Sequence, residues 1–485
     1  MMRRYILLYL MLTTILFTAC REEQISSDPS MQLAFSKQEV LFDTVFTGMG
    51  SSTQQVMVYN RNRNAIRISD VWLENGNASY FKLNLDGENK MENLHNIVLN
   101  GKDSLFLFIR VTIDPQKENS PILVTDTIRF LVNGNVQNIA LEAYGQNVRI
   151  IRNPNGSGRT NYDTHTFINR LPYLIYDTVV VGGPLYFEPG ATLYMHNKAS
   201  IYALGDVQAM GEKDNPITIR GDRLDHLFDS VPYAVASGQW GGVFLINYAD
   251  NNYQPAYTLR NIDILSGSIG LYCYSESPEH MGTLQIENAR IHNHSIYGVV
   301  LQNTDATIAN SEISNCAAYC LYLEGGKHTI VHTTVASFFG WPYSNLNIHN
   351  TSRQDVAAVY INNLSKEYAP TELHLLNSIV TGARDNNLVV ATPLPKYYEG
   401  EITGSYLKAD SIKTDWCHDN VYASDSDTVF VNTYYLYREY KYYDFRLDSV
   451  SPARGIGDSI AGSKYPFDKV GRERKSRPDA GCYEY

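Results

Sequence analysis

The stretch "QNTDATIANSEISN", Gln302 to Asn315, decides the fold. It carries two competing signals. Asn303-Thr304-Asp305 puts a carboxylate beside an apolar alternation, where it would serve chemistry. Asn310-Ser311-Glu312-Ile313 reads instead as one rung of a repeat. Matching tetrads stand at Asn261-Ile262-Asp263-Ile264, Asn288-Ala289-Arg290-Ile291, His332-Thr333-Thr334-Val335 and Asn377-Ser378-Ile379-Val380. The successive offsets are 27, 22, 22 and 45 residues, and the last is counted as two turns. Each unit carries L-x-I before the tetrad and an apolar strand after it, as in "TLQIENARIHNHSIYGVVL". A period near 22 suits a coil of three short strands, stacked on its neighbours at the ~4.8 Å strand spacing. No single coil buries its own apolar side, so Ile286, Ile291, Ile308, Ile313, Leu321 and Ile330 are expected to pile into inward columns.

Over residues 172–400 this pattern resembles the right-handed parallel β-helix of the pectate-lyase-like superfamily, with "GPLYFEPGATLYM" as its opening coil. Residues 31–147 read as about seven short alternating strands parted by Gly, Asn and Asp, which suggests a sandwich. Their order resembles the immunoglobulin-like modules of abnormal-spindle and choice-of-anchor type, which implies a spacer or docking unit. Residues 148–171, rich in Asn, Gly and Thr, read as a linker. Residues 401–485 are expected to hold terminal coils and a C-terminal cap. Their pattern Phe445-Arg446-Leu447, Ser451-Pro452-Ala453, Gly455, Asp468, Gly471-Arg472, Asp479, Gly481, Tyr483-Glu484 resembles the closing segment of bacterial surface β-helix proteins. That resemblance implies a cover over the open end of the solenoid, whose bare strands are a sticky edge. The expected fold class is all-β: an N-terminal immunoglobulin-like β-sandwich, then a right-handed parallel β-helix with a C-terminal cap.

The N-terminus reads as a processed segment. Arg3 and Arg4 precede the apolar "YILLYLMLTTILF", and Thr18-Ala19-Cys20 follows. This resembles a bacterial lipobox and implies a signal peptide over 1–20, a lipid on Cys20, a tether over 21–30 and an outer-membrane lipoprotein. Arg21-Glu22-Glu23 resembles the surface-export signal of Bacteroidetes lipoproteins. The cell surface is therefore the expected location, with a periplasm-facing anchor as the alternative. No later stretch approaches the ~20 apolar residues of a spanning helix. The first 20 residues hold two arginines and no acid, so their removal takes the net charge from −11 to −13. Such a chain lacks the basic footprint of a nucleic-acid binder. Five cysteines remain, so at least one thiol is unpaired, and no spacing suits structural zinc. Asp-(Ser/Thr)-apolar triplets begin at nine aspartates, where about two are expected by chance. They resemble Bacteroidetes O-glycosylation sites, and they equally suit the starts of strands.

Candidate chemistry is sparse. Asn303-Thr304-Asp305 resembles a polygalacturonase motif, but the Asp-Asp, Gly-His-Gly and Arg-Ile-Lys elements of that family are missing. Glycoside hydrolysis needs two carboxyl groups on one bond. Asp305 and Glu324 are the available pair, 19 residues apart, and Asp305 also reads as a turn residue. In "RGDRLDHLFDS", Asp222, Asp225 and Asp229 are candidate Ca²⁺ ligands, and Asp225 a candidate catalytic acid or base. A solvated loop is the competing reading. His292-x-His294 lacks a third zinc ligand. Trp240 and Trp341 are the candidate sugar-stacking residues, since indole faces cover the apolar faces of sugars. The tyrosine run at 434–443 reads as core beneath the cap. The expected function is recognition of a polysaccharide or surface protein without catalysis. The alternatives are a polysaccharide lyase or glycoside hydrolase on a uronate-containing glycan, and a structural spacer. Apart from Ca²⁺ no cofactor is expected. A binder requires an aromatic row on an outer face, an enzyme requires carboxylates converging from successive coils, and a spacer needs neither.

Overall fold

The computed structural model describes residues 24–85, 94–115, 121–228, 231–248, 253–339, 357–363, 367–391, 398–409, 416–433 and 443–485. Cys20, Asp229, Trp341 and the tyrosine run up to residue 442 lie outside the described residues. The chain divides between Asn147 and Val148 into two compact units, both built almost wholly of strands.

The first unit is two sheets around one core. One sheet runs in the order Ile25–Ser26, Ala65–Leu73, Ile122–Val132, Asn135–Gln146, Glu39–Phe46, with Leu94–Leu99 also paired to Ala65–Leu73. The other runs Ala34–Phe35, Gln54–Tyr59, Ser104–Val111, Phe81–Leu85. Period-2 alternation explains the packing: from Val124 to Val132, every second residue of "ILVTDTIRFLV" is buried. Val56, Ile68, Leu107, Ile109 and Phe130 of both sheets meet in the shared core. Oδ1 of Asp126, the one buried acid of that strand, accepts the N–H groups of Asn75 and Thr127.

The second unit is three long parallel sheets, an architecture compatible with a parallel β-helix. From Arg149–Ile151 to Tyr406–Leu407 the strands visit the three sheets in rotation, apart from the short pair His226–Phe228 and Val231–Pro232. In one coil, Arg290–His294 belongs to the first sheet, Tyr297–Gln302 to the second and Thr304–Ala309 to the third. The next coil repeats this with Glu312–Cys316, Tyr319–Glu324 and Gly326–Val331. Ile264, Ile291, Ile313, Val335 and Val380 are successive Cα partners across the first sheet, and all are fully buried. The repeat seen in the sequence is thus the strand register itself. The six expected inward residues all sit in one core with their stacked neighbours.

Three expectations need correction. The 45-residue step is one coil, not two, because Val335 pairs directly with Val380. Its extra length falls between Ser337 and Val359 and between Asn362 and Thr371. The expected linker is itself the first coil. Arg149–Ile151, Arg159–Tyr162 and His165–Phe167 each pair in parallel with the coil that follows, and Ile151 and Phe167 join the core. The tail does not simply cover an open end. It lies along the flank of the first sheet over four coils: Lys469 Nζ donates to Asn288 O, Asn310 Nδ2 to Phe467 O, the Cys482 N–H to Thr334 Oγ1, and Asn377 Nδ2 to Asp458 O. Apolar contacts fix it there, since Phe430, Phe445, Leu447, Ala453 and Ala480 pack on Ala336 and Ile379.

The turn chemistry explains the Asn of each tetrad. Asn261, Asn288, Asn310, His332 and Asn377 all have φ between 45° and 56°, the left-handed region that Asn tolerates better than other side-chain-bearing residues. Each N–H donates to a carbonyl one coil on, for example Asn288 to Ala309 and Asn310 to Val331. The residue after it supplies a buried hydroxyl ladder. Ser311 Oγ accepts from Ala289 N, Ser378 Oγ from Thr333 N, and Ser405 Oγ from Ser378 N, at 3.0–3.1 Å.

Candidate functional site

The outer face of the second sheet is built by the same alternation. Val243, Leu271, Val299, Leu321 and Val359 point into the core. The residue after each points out. Tyr202, Phe244, Tyr272, Val300, Tyr322 and Tyr360 are successive Cα partners on six coils. Tyr202 stacks on Phe244 with ring centroids 4.5 Å apart and planes 7° from parallel. Phe244 meets Tyr272 at 5.9 Å, and Tyr322 stacks on Tyr360 at 5.7 Å. A parallel column adds Tyr297 stacked on Tyr319 at 5.9 Å, and Tyr319 on Tyr360 at 4.7 Å. All these rings are half-buried.

A polar strip borders the rings. Tyr274, Gln302 and Glu324 are Cα partners on three coils. The Tyr272 hydroxyl donates to Gln302 Oε1, and Gln302 Nε2 donates to Glu324 Oε2 at 2.6 Å. Glu324 Oε2 also accepts from the Tyr322 hydroxyl at 3.0 Å. Asn362 Nδ2 donates to Glu324 Oε1 and to the Tyr322 hydroxyl, both at 2.8 Å. Burial pushes the Tyr272 phenol up to about 12 and raises that of Tyr322, so both stay neutral and keep their protons for donation. Both Glu324 oxygens are engaged. The carboxylate ties the rings to the polar strip.

The other sequence candidates resolve one by one. Asn303 has φ 46° and is fully buried; its Nδ2 donates to Ser275 O and its Oδ1 accepts from Ala369 N. Asp305 Oδ1 accepts the Lys327 N–H at 2.8 Å. The Asn-Thr-Asp motif is therefore turn and strand chemistry, and Asp305 and Glu324 share no hydrogen-bond partner among the described residues. Asp222 bonds His196 Nδ1 at 2.6 Å, and Asp225 takes two bonds from Arg223. Among the described residues no three His, Cys, Asp or Glu side chains are grouped as metal ligands. Trp240 is corrected from platform to core: it is 1% exposed, and its Nε1 donates to Leu265 O at 2.8 Å. His292 and His294 part company. His294 is buried with Nε2 on Ile264 O, and His292 Nδ1 bonds Ser314 Oγ on the outer side. The aromatic face was missed by sequence reasoning, although Tyr297 and Tyr319 repeat at the 22-residue period and pair directly.

A second feature lies on the outer face of the first sheet. A cleft of about 190 Å³ is lined by Arg220, Gln239, Leu265, Arg290, His292 and Tyr443, among others. At its edge Glu312 is bound by Arg290 Nε at 3.3 Å, the Ser314 hydroxyl at 2.7 Å and the Tyr483 hydroxyl at 2.7 Å. Burial opposes its charge, but Arg290, His292 and these hydrogen bonds prevail and hold the carboxyl down to about 2. Burial, aided by Arg290, lowers His292 to about 3, so that ring is neutral.

No protein-family model matches the chain, and no curated protein matches it. Several solved structures match about a quarter of the chain. A protein of unknown function from Porphyromonas gingivalis W83 is 15% identical over 26% of this chain and 50% of that one, with a TM-score of 0.18. A family 123 glycoside hydrolase from Clostridium perfringens is 8% identical over 27% of this chain and 30% of that one, at 0.19. The ASH / PapD-like domain of human CEP192 is 9% identical over 27% of this chain and 94% of that one, at 0.16. The chain thus spans half or less of the first two.

Proposed function

We propose that this chain is a cell-envelope recognition protein that binds an extended polysaccharide across the aromatic outer face of the second sheet, without catalysis. In this reading the parallel sheets are a right-handed β-helix of the pectate-lyase-like kind. The first unit is an immunoglobulin-like spacer, and a lipid on Cys20 tethers the chain to the outer membrane, facing the cell surface. One observation carries the function: half-exposed Tyr and Phe rings on five of six consecutive coils, bordered by a strip of amide, carboxylate and hydroxyl groups. Because stacked neighbours cover one another's faces, the rings offer a linear row of apolar edges at ~4.8 Å steps for successive sugars, and the strip offers partners for their hydroxyls. Among the described residues, Asp222, Asp225, Asp305 and Glu324 are each engaged in local hydrogen bonds, which favours binding over turnover.

The test is a polysaccharide panel screened by affinity electrophoresis, with product formation followed in parallel. Retention by at least one polysaccharide, weakened tenfold or more in Tyr202→Ala and Tyr360→Ala, supports the reading. Product formation that disappears in Asp305→Asn or Asp225→Asn overturns it.

A further inference from the structure

We propose that the cleft on the outer face of the first sheet is an oxyanion subsite, in which an anionic group with two or more acceptor oxygens sits between Arg220 and Arg290. The site is independent of the aromatic face.

The placement follows from the coil register. Arg220 belongs to the strand Ile217–Gly221 and Arg290 to Arg290–His294, with Ile262–Leu265 between them. Two strand steps separate the arginine-bearing strands by roughly 10 Å. Both side chains line one cleft, with Arg290 two residues along its strand from His292, the partner of Leu265. Two long guanidinium side chains across such a gap suit one bridging anion, because each presents a planar fork of N–H donors.

The donors are under-used. Arg220 is half-buried, and its one hydrogen bond among the described residues is a 3.5 Å contact from Nη2 to Arg223 O. A guanidinium carries five N–H donors, and leaving them unmet away from water is costly. Arg290 spends Nε on Glu312. Gln239, also lining the cleft, leaves its Oε1 without a donor among the described residues.

Of the two arginines, Arg220 is the one whose charge is not already paired with a carboxylate among the described residues. Glu312 is neutralised in place by Arg290, Ser314 and Tyr483. His292 is neutral. Asp263 is next to Arg290 in register, and burial raises its pKa. Arg220 is left as a cation without a carboxylate partner among the described residues. The cavity is small, so it takes one substituent or one ring and not a chain.

The experiment uses the full chain and three probes, sodium sulfate, sodium phosphate and sodium glucuronate, each against sodium chloride at equal ionic strength. Thermal melts and titration calorimetry are expected to show saturable binding of at least one oxyanion and none of chloride. Arg220→Gln is expected to weaken it tenfold or more, and Arg220→Lys to retain part of it. Preference for sulfate or phosphate over glucuronate identifies a free inorganic ion as the occupant. Preference for glucuronate identifies a sugar-borne group. A melt that responds only to ionic strength overturns the proposal, as does unchanged affinity in both Arg220 variants. Tyr360→Ala must leave the anion response intact, and Arg220→Gln must leave retention on neutral polysaccharides intact. Failure of one site is thereby told apart from failure of the other.

Discussion

At the residue scale, the informative positions are the buried ionisable groups. Glu312 is 2% exposed and triply bonded, so Glu312→Ala strands Arg290 and the Tyr483 hydroxyl. A loss of about 3 kcal/mol in urea unfolding is expected. His328 is 1% exposed between Ala306 and Leu373, and neither ring nitrogen has a hydrogen bond among the described residues. Burial lowers its pKa to about 3. The folded ring is therefore neutral while the unfolded one titrates near 6.5. The sign follows: its effect is absent above pH 6.5, and stability falls as pH drops from there toward 3, because the unfolded chain takes up the proton first. His292 and His294, lowered to about 3 and about 4, act in the same direction. Glu312, held near 2, adds stability that is complete above ~4.5 and lost only below that. His328→Leu is expected to be more stable than the native chain by about 1 kcal/mol at pH 7. Its advantage should grow by about 1.4 kcal/mol per pH unit below 6.5. Urea titrations at pH 7 and pH 5 check both figures, and equal pH slopes for the two proteins would refute the assignment.

At the element scale, the turns and the tail hold the solenoid's shape. Asn310 has φ 47°, and its side chain bonds both Phe467 O and Arg474 Nη2. Asn310→Ala therefore loses a tolerated left-handed residue and two tail contacts, at a cost of about 2 kcal/mol. Asn310→Gly should recover the backbone part, and a thermal melt separates the two variants. Gly481 has φ 90°, and a Cβ there would lie 2.7 Å from both Ile379 Cδ1 and Thr334 Oγ1. Gly481→Ala is expected to loosen the tail, seen as faster proteolysis C-terminal to Asp444. The closing motif was legible as a pattern but not as a place. Asp468, Asp479 and Glu484 bind backbone N–H groups of their own segment, such as Arg472 N, Gly455 N and Asp479 N. That makes a self-contained knot, and its composition says nothing about which surface it will meet. The repeat was legible because an inward residue such as Ile291 has a like neighbour above and below. The first coil was hidden for the converse reason. Thr160 and Tyr162 are half-buried and Arg159 and Asn161 exposed, so the strand looks like linker. The aromatic face escaped notice because outward positions obey no packing rule strong enough to mark them, whereas a tryptophan draws the eye and Trp240 proves to be core.

At the scale of the whole molecule, each unit has its own core and its own closed set of strand pairings. Chains ending at Asn147 or starting at Val148 are expected to fold separately. Each should show β-type circular dichroism and a cooperative melt, and aggregation of both pieces would contradict this. Within the second unit stability should be spread along the stack, because each coil touches only its neighbours.

The step from Val335 to Val380 has a further consequence. Forty-five residues there advance the stack by the same single notch that 22 achieve elsewhere. Length added at that corner leaves the axial ruler unchanged, since the strands on either side still meet in register. The corner between Ser337 and Val359 is thus a natural graft point. Peptides of differing size can be inserted there while every ring of the tyrosine track keeps its station.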